Sequence, residues 1–172
     1  MHQLFLLRHA QAEPIANGVS DHDRPLTARG RRGAGKIAQA MRKAGLAPEV
    51  VLVSTALRTR QTLEELENGP VWDEWPNIDS LPQLYMATLP QLLNTIADLP
   101  ETVRSALIIG HNPGLQELAL RLSAGGRPDA ASMRLAEGYP TATLSEFLVA
   151  GRWRQIAQGV TSLKRLLLDD AC

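Results

Sequence analysis

The sequence has almost no cysteine: the only one, Cys172, is the last of 172 residues. It can form no disulfide within the chain, which suits a reducing compartment such as the cytosol. Net charge is lacking as well. Eighteen Lys and Arg balance eighteen Asp and Glu, which argues against general binding to nucleic acid or to a membrane surface. A local basic pocket remains compatible with that balance. No apolar run approaches the roughly 18 residues of a membrane span. The stretch Leu4 to Leu7 is too short for a signal peptide and is interrupted by Arg8. No ligand pair of the His-x-x-x-His kind is present, so a metal site built from His9, His22 and His111 with Asp21 or Asp23 has little support. What is left is an ordinary globular composition, 44% hydrophobic and 21% charged, expected in the cytoplasm. A single domain spanning 1–172 is expected, able to bury about two-thirds of its unfolded surface.

The most informative stretch is Leu4-Phe5-Leu6-Leu7-Arg8-His9-Ala10. A continuous apolar run of this length reads as a strand buried on both faces, as in parallel sheets. Burial should end at Arg8, because a guanidinium is seldom buried unless paired. Two further runs of this kind follow, Val50 to Val53 and Ala106 to Ile109. Helical patterns lie between them. The first starts after Thr27 as N-cap, carries an apolar stripe Ala34, Ile37, Ala38 and Met41, and stops at Gly45 and Pro48. Gly30, Gly33 and Gly35 each cost this helix about 1 kcal/mol relative to alanine, for which close packing on the sheet would be a reason. The second helix carries Arg58, Thr62, Leu63 and Leu66 and closes at Gly69-Pro70. Trp72 to Pro82 reads as irregular, with Trp72 and Trp75 as packing residues. A third helix opens at Thr88 or Leu89 and ends by Pro100. Asn112-Pro113-Gly114 offers an N-cap and a first-turn proline for a fourth. Gly125 to Pro128 reads as a loop and Ala130 to Ala136 as a short helix. Thr141 to Val149 and Trp153 to Gln158 read as two edge strands joined at Ala150-Gly151, followed by an amphipathic tail from Thr161.

Strands alternating with helices predict an α/β fold: a three-layer α/β/α sandwich, a mostly parallel central sheet with an antiparallel edge, and helices on both faces. Each buried run exits on polar residues: Arg8-His9, Ser54 followed by Arg58, and Gly110-His111-Asn112. Parallel strands put those exits on one edge of the sheet, where ligands bind. Two histidines and two arginines would then converge near helix N-termini, an arrangement suited to a phosphate or phosphoryl group. Arg29, Arg31, Arg32 and Lys36 form either a solvated basic face or a rim that attracts anions. His2 reads as structural, His22 as a solvated or rim residue, and Arg24 as the partner of a neighbouring aspartate.

These residues resemble the signatures of the histidine phosphatase superfamily, which includes the phosphoglycerate mutases. Leu7-Arg8-His9-Ala10 is similar to its Arg-His-Gly motif. Ser54-Thr55-Ala56-Leu57-Arg58-Thr59-Arg60-Gln61-Thr62 is similar to Ser-Pro-x-x-Arg-Ala-x-Gln-Thr, and Gly110-His111-Asn112 to its Gly-His segment. Asp21 to Thr27, Leu84-Tyr85, His111 to Gly114 and Tyr139-Pro140-Thr141 resemble the short SixA-type phosphohistidine phosphatases. The resemblance runs in order along nearly the whole chain. It implies that His9 is the nucleophile and is transiently phosphorylated. It also implies that Arg8, Arg58, His111 and Asn112 bind the phosphoryl group, the first three stabilising its spreading charge. No metal or cofactor is required, because fixed cations do the neutralising.

Ala10, Thr55 and Thr59 depart from the family pattern by small or turn-compatible replacements. A larger departure is Gln83, which stands where many relatives carry an acidic proton donor; Glu13, Asp21 and Asp23 are loop candidates for that role. Phosphohistidine has a labile P–N bond and needs less help from an acid. The expected substrate is therefore protein phosphohistidine. The alternatives are a small sugar, nucleotide or acyl phosphate, and a phosphate-binding adaptor without turnover.

Overall fold

A computed structural model describes residues 1–69, 72–125 and 129–169; Pro70, Gly126-Arg127-Pro128 and Cys172 lie outside them. The elements run β1 (His2–Arg8), α1 (Ala28–Ala44), β2 (Val50–Ser54), α2 (Leu57–Asn68), β3 (Asn77–Leu81), α3 (Leu89–Ala97), β4 (Ser105–Gly110), α4 (Gly114–Ser123), α5 (Ala130–Glu137), β5 (Leu144–Ala150) and β6 (Val160–Leu167). The strands form one sheet in the order β3-β2-β4-β1-β5-β6. Strands β3, β2, β4 and β1 are parallel, and β5 runs antiparallel to both β1 and β6.

The three apolar runs are the central strands, and their alternation builds the two cores. Leu4, Leu6, Leu52 and Ile108 pack with Leu92 and Ile96 of α3 and with Leu115, Leu118 and Leu122 of α4. Phe5, Leu7, Val51, Val53, Leu107 and Ile109 face the other way, onto Ala34, Ile37, Ala38 and Met41 of α1 and Leu63 and Leu66 of α2. The fold is the three-layer sandwich with a mostly parallel sheet and an antiparallel edge. No helix among the described residues is long and apolar enough to cross a membrane.

Three expectations need correction. Trp72 to Pro82 is not wholly irregular, because Asn77–Leu81 forms β3. This edge strand is almost entirely exposed and carries no apolar alternation, so backbone pairing to β2 holds it. Trp153 to Gln158 is not a strand: Trp153–Gln155 is a 3₁₀ turn. It forms because the Trp153 ring is fully buried and its indole N–H donates to Val103 O at 2.8 Å. The last strand is instead β6, in the segment read as an amphipathic tail. Strand β5 also begins later than expected, at Leu144, after a turn in which Ala142 takes φ +54°.

Helix α1 begins as expected: Thr27 Oγ1 accepts from Gly30 N at 2.9 Å, and Gly45 ends it in the left-handed conformation at φ +66°. Its start is pressed against the loop that leaves β1. A Cβ on Gly30 would lie 2.0 Å from the carbonyl oxygen of Gln11, whereas one on Gly35 would meet nothing within 4 Å. Gly35→Ala should therefore stabilise the protein by about 0.5–1 kcal/mol. Gly30→Ala should destabilise it by roughly 1–3 kcal/mol, because backbone must move. Urea unfolding at neutral pH measures both, and equal stabilities would contradict the close approach.

Candidate active site

Strand register brings the polar exits together. Arg8 pairs with Gly110 and Val53 with Ile109, so β1 and β2, on either side of β4, end at the same level. His9, Ser54 and His111 follow at that edge. A cavity of about 370 Å³ opens there, lined among others by Arg8, His9, Asp21, Arg24, Arg58, Met86, His111 and Asn112. A larger one, about 760 Å³, lies at the amino ends of β2 and β3 beside Trp72 and Trp75, away from both histidines.

His9 is buried, and its Nδ1–H donates to its neighbour's carbonyl, Ala10 O, at 2.7 Å. That bond leaves the lone pair on Nε2, toward which Arg58 Nε–H points at 3.3 Å. Burial lowers the His9 pKa to about 4, with Arg58, Arg8 and Arg24 adding to the effect and the Ala10 bond opposing it. His111 lies with its ring centroid 5.3 Å from that of His9 and edge-on to Tyr85 at 5.4 Å. Its Nε2 meets Ser54 Oγ at 2.8 Å, and its Nδ1 is buried without a hydrogen-bond partner among the described residues. Burial, the His9 ring and the arginines lower its pKa to about 3. Both rings are neutral at pH 7.

Arg58 sits in the first turn of α2 and is only 2% exposed. Such burial requires partners. Asp21 supplies them, accepting from Nη1 at its carbonyl (2.7 Å) and from Nη2 at its carboxylate (3.1 Å). The same carboxylate takes the Tyr85 hydroxyl at 2.5 Å and Arg24 at 2.9 and 3.0 Å. The Tyr85 hydrogen bond, with Arg24 and Arg58, holds the Asp21 pKa down to about 2. Arg8 donates from Nη1 to Tyr139 O at 2.9 Å, and its buried Nε has no hydrogen-bond partner among the described residues. Burial, with Arg58 nearby, lowers the Arg8 pKa from its ordinary value. Met86, at φ +51°, brings its sulfur to 4.0 Å from Arg58 Nη2.

The structure thus gathers Arg8, His9, Arg58, His111 and Asn112 into one cavity. Asn112 does not cap α4, as its position suggested: its Nδ2 donates to Tyr139 O at 2.9 Å and its Oδ1 is buried without a partner among the described residues. Of the three proton-donor candidates, Asp21 lines the cavity while Glu13 and Asp23 do not, and Gln83 does not reach it either. Arg24 pairs with Asp21 as expected. His22 turns to Thr55 Oγ1 at 3.0 Å and does not join the other two histidines. Among the described residues no group of three or more His, Cys, Asp or Glu is placed to hold a metal ion. Arg31 faces Glu65 at 2.6 Å and Lys36 faces Asp169 at 3.4 Å, and neither is among the residues that line the cavity. Ser54 and the Tyr139 carbonyl were not singled out as site groups. Only the position of Ser54 at a strand exit hinted at it.

Residues 4–80 match the family model of the histidine phosphatase superfamily, branch 1. Phosphohistidine phosphatase SixA of Escherichia coli K12 is 32% identical over 130 residues, covering 73% of this chain and 77% of that protein. The chain belongs to the histidine phosphatase superfamily and is of the SixA type. Its fold matches a structure assigned to SixA from Nakamurella multipartitia with a TM-score of 0.85 and 28% identity, covering 99% of this chain and 97% of that one. A complex of the protein histidine phosphatase SixA with tungstate matches with a TM-score of 0.75 and 26% identity, at 97% of both chains. In this member of the superfamily, three arginines and one aspartate surround two neutral imidazoles. Such a site attracts an oxyanion and sets unprotonated imidazole beside it.

The depressed histidine pKa values fix the sign of a pH effect. An unfolded histidine takes up a proton below about pH 6.5, whereas His9 in the fold does so only near 4 and His111 near 3. Stability from these neutral rings is complete above about pH 6.5 and is lost as pH falls toward 4. Ring NMR should show neither histidine titrating between pH 8 and 5, while the urea midpoint declines below about 6.5. A ring midpoint near 6.5 for either would contradict the site as described.

Proposed function

We propose that the protein is a metal-independent phosphatase that removes phosphate from phosphohistidine in a protein, in the cytoplasm, working as one domain. The observation that carries this reading is the state of the cavity's acid. Asp21 is the only carboxyl among the lining residues, and Tyr85, Arg24 and Arg58 keep it ionised. It cannot protonate an alkoxide leaving group near neutral pH. A phosphohistidine ring, protonated from solvent, departs as neutral imidazole without such an acid.

In this reading the phosphoryl group lies among Arg8, Arg58, His111 and Asn112. His9 Nε2 attacks phosphorus in line, the P–N bond to the substrate ring breaks, and a phosphoryl group is left on His9. Water then attacks that phosphorus, releasing inorganic phosphate and restoring the neutral ring. The arginines neutralise charge on the equatorial oxygens in both steps, and their planar forks suit paired oxygens. Position and charge supply the catalysis. No insertion is long enough to make a large closing lid, which leaves room for a histidine presented on another protein's surface.

Phosphate release from a phosphohistidine-bearing protein and from a sugar phosphate, side by side, tests the proposal. Release from phosphohistidine is expected for the wild type and none for His9→Ala. Arg58→Ala should lower the rate by at least about a hundredfold to a thousandfold. Preference for the sugar phosphate would overturn the substrate class. No release from either substrate would point to an oxyanion-binding protein without turnover.

A further inference from the structure

We propose that Ser54 is a positioning residue that sets the tautomer of His111, so that the ring presents Nδ1–H to a bound phosphoryl oxygen. Ser54 is the last residue of β2 and is fully buried. The pairing of Val53 with Ile109 puts it level with Gly110, directly before His111. Its hydroxyl oxygen lies 2.8 Å from His111 Nε2 and accepts from Ala56 N–H at 3.3 Å. The turn that holds it is clamped by Thr59, whose hydroxyl lies 2.8 Å from Ser54 O and 2.7 Å from Ala56 O.

Two assignments of the shared proton are open, and hydrogen-bond accounting separates them. If His111 Nε2 carried it, the Ser54 O–H would be buried with no acceptor among its hydrogen-bond partners. The bare lone pair would then sit on Nδ1, where an incoming oxyanion would meet it with repulsion. If Ser54 donates instead, its oxygen accepts from Ala56, Nε2 accepts from Ser54, and Nδ1 carries the hydrogen. That nitrogen is the buried ring atom without a partner among the described residues, on a side chain that lines the cavity with Arg8 and Arg58. The unpaired donor is what a phosphoryl oxygen would complete. The neutral ring donates this bond without having to be protonated, so Ser54 decides whether the nitrogen that faces the anion carries a hydrogen.

The kinetic part of this inference rests on the phosphatase reading; the tautomer itself does not. Long-range ¹H–¹⁵N spectra of the labelled protein at pH 7, with and without inorganic phosphate, read it directly. In the wild type, His111 should show a protonated Nδ1 and a bare Nε2, with the Nδ1 signal moving on addition of phosphate. Ser54→Ala should populate the opposite tautomer and lower kcat by roughly tenfold to a hundredfold, the range for loss of a partner that orients a histidine. Ser54→Thr keeps the hydroxyl and should return both toward wild type. A wild-type His111 protonated at Nε2 overturns the proposal, with no variant needed. So does a Ser54→Ala protein whose tautomer and rate are unchanged. If the tautomer follows Ser54 while no variant hydrolyses phosphohistidine, the assignment stands and the substrate reading fails.

Discussion

Parallel pairing of β1 and β2 on the two sides of β4 is the constraint on which the site depends. The register that sets Arg8 against Gly110 and Val53 against Ile109 makes three strands end together. Each end then releases polar residues at the same height: Arg8-His9, Ser54 and His111. A slip of one residue in a strand reverses which side chains face each layer. Because Phe5 and Leu7 serve one core and Leu4 and Leu6 the other, such a slip would disrupt both layers as well as the cavity. Core packing and site geometry are enforced by the same pairing.

Electrostatics shape what that register assembles. A buried Arg58 and a half-buried Arg8 would be costly alone, and each is held by a different device. Asp21 grips Arg58 through both its carbonyl and its carboxylate, and also binds Arg24 and Tyr85. Arg8 relies on the carbonyl of Tyr139, which also accepts from Asn112. Tyr139 is fixed in turn by its hydroxyl, which reaches Leu6 O and Ser145 Oγ, both at 2.7 Å. The central strands thereby anchor the carbonyl that orients a guanidinium at their own exit. Burial and surrounding cations keep His9 and His111 neutral, so each ring retains one lone pair and one N–H. Fixed charges of this kind need no rearrangement when charge develops on a ligand, which is why preorganised sites are effective.

The legible parts of the sequence were those with strong apolar patterns. Leu4 to Leu7, Val50 to Val53 and Ala106 to Ile109 are central strands because burial on both faces permits only apolar residues there. Strand β3 was illegible because an exposed edge strand is held by its backbone, and residues such as Asn77 and Asp79 carry no trace of that. Trp153 misled for the opposite reason: an aromatic in a strand-like context was recruited by the core as the anchor of a turn. Asn112 looked like a helix cap by position, but the Tyr139 carbonyl, 27 residues away, took its amide. Tertiary partners overrode local preference in both cases.

The sequence by itself determined the three buried strands, the helices that follow them and the identity of the ionisable groups at their ends. Apolar runs and motif residues are local properties, and local patterns survive in a one-dimensional record. Only the tertiary structure decided which of those groups meet and in what protonation state. His9 and His111 have ordinary histidine chemistry until burial and nearby arginines depress their pKa values. Asp21 is a proton-donor candidate until Tyr85, Arg24 and Arg58 converge on it from separate parts of the chain. Charge state depends on distance and dielectric, and neither exists before the chain has folded.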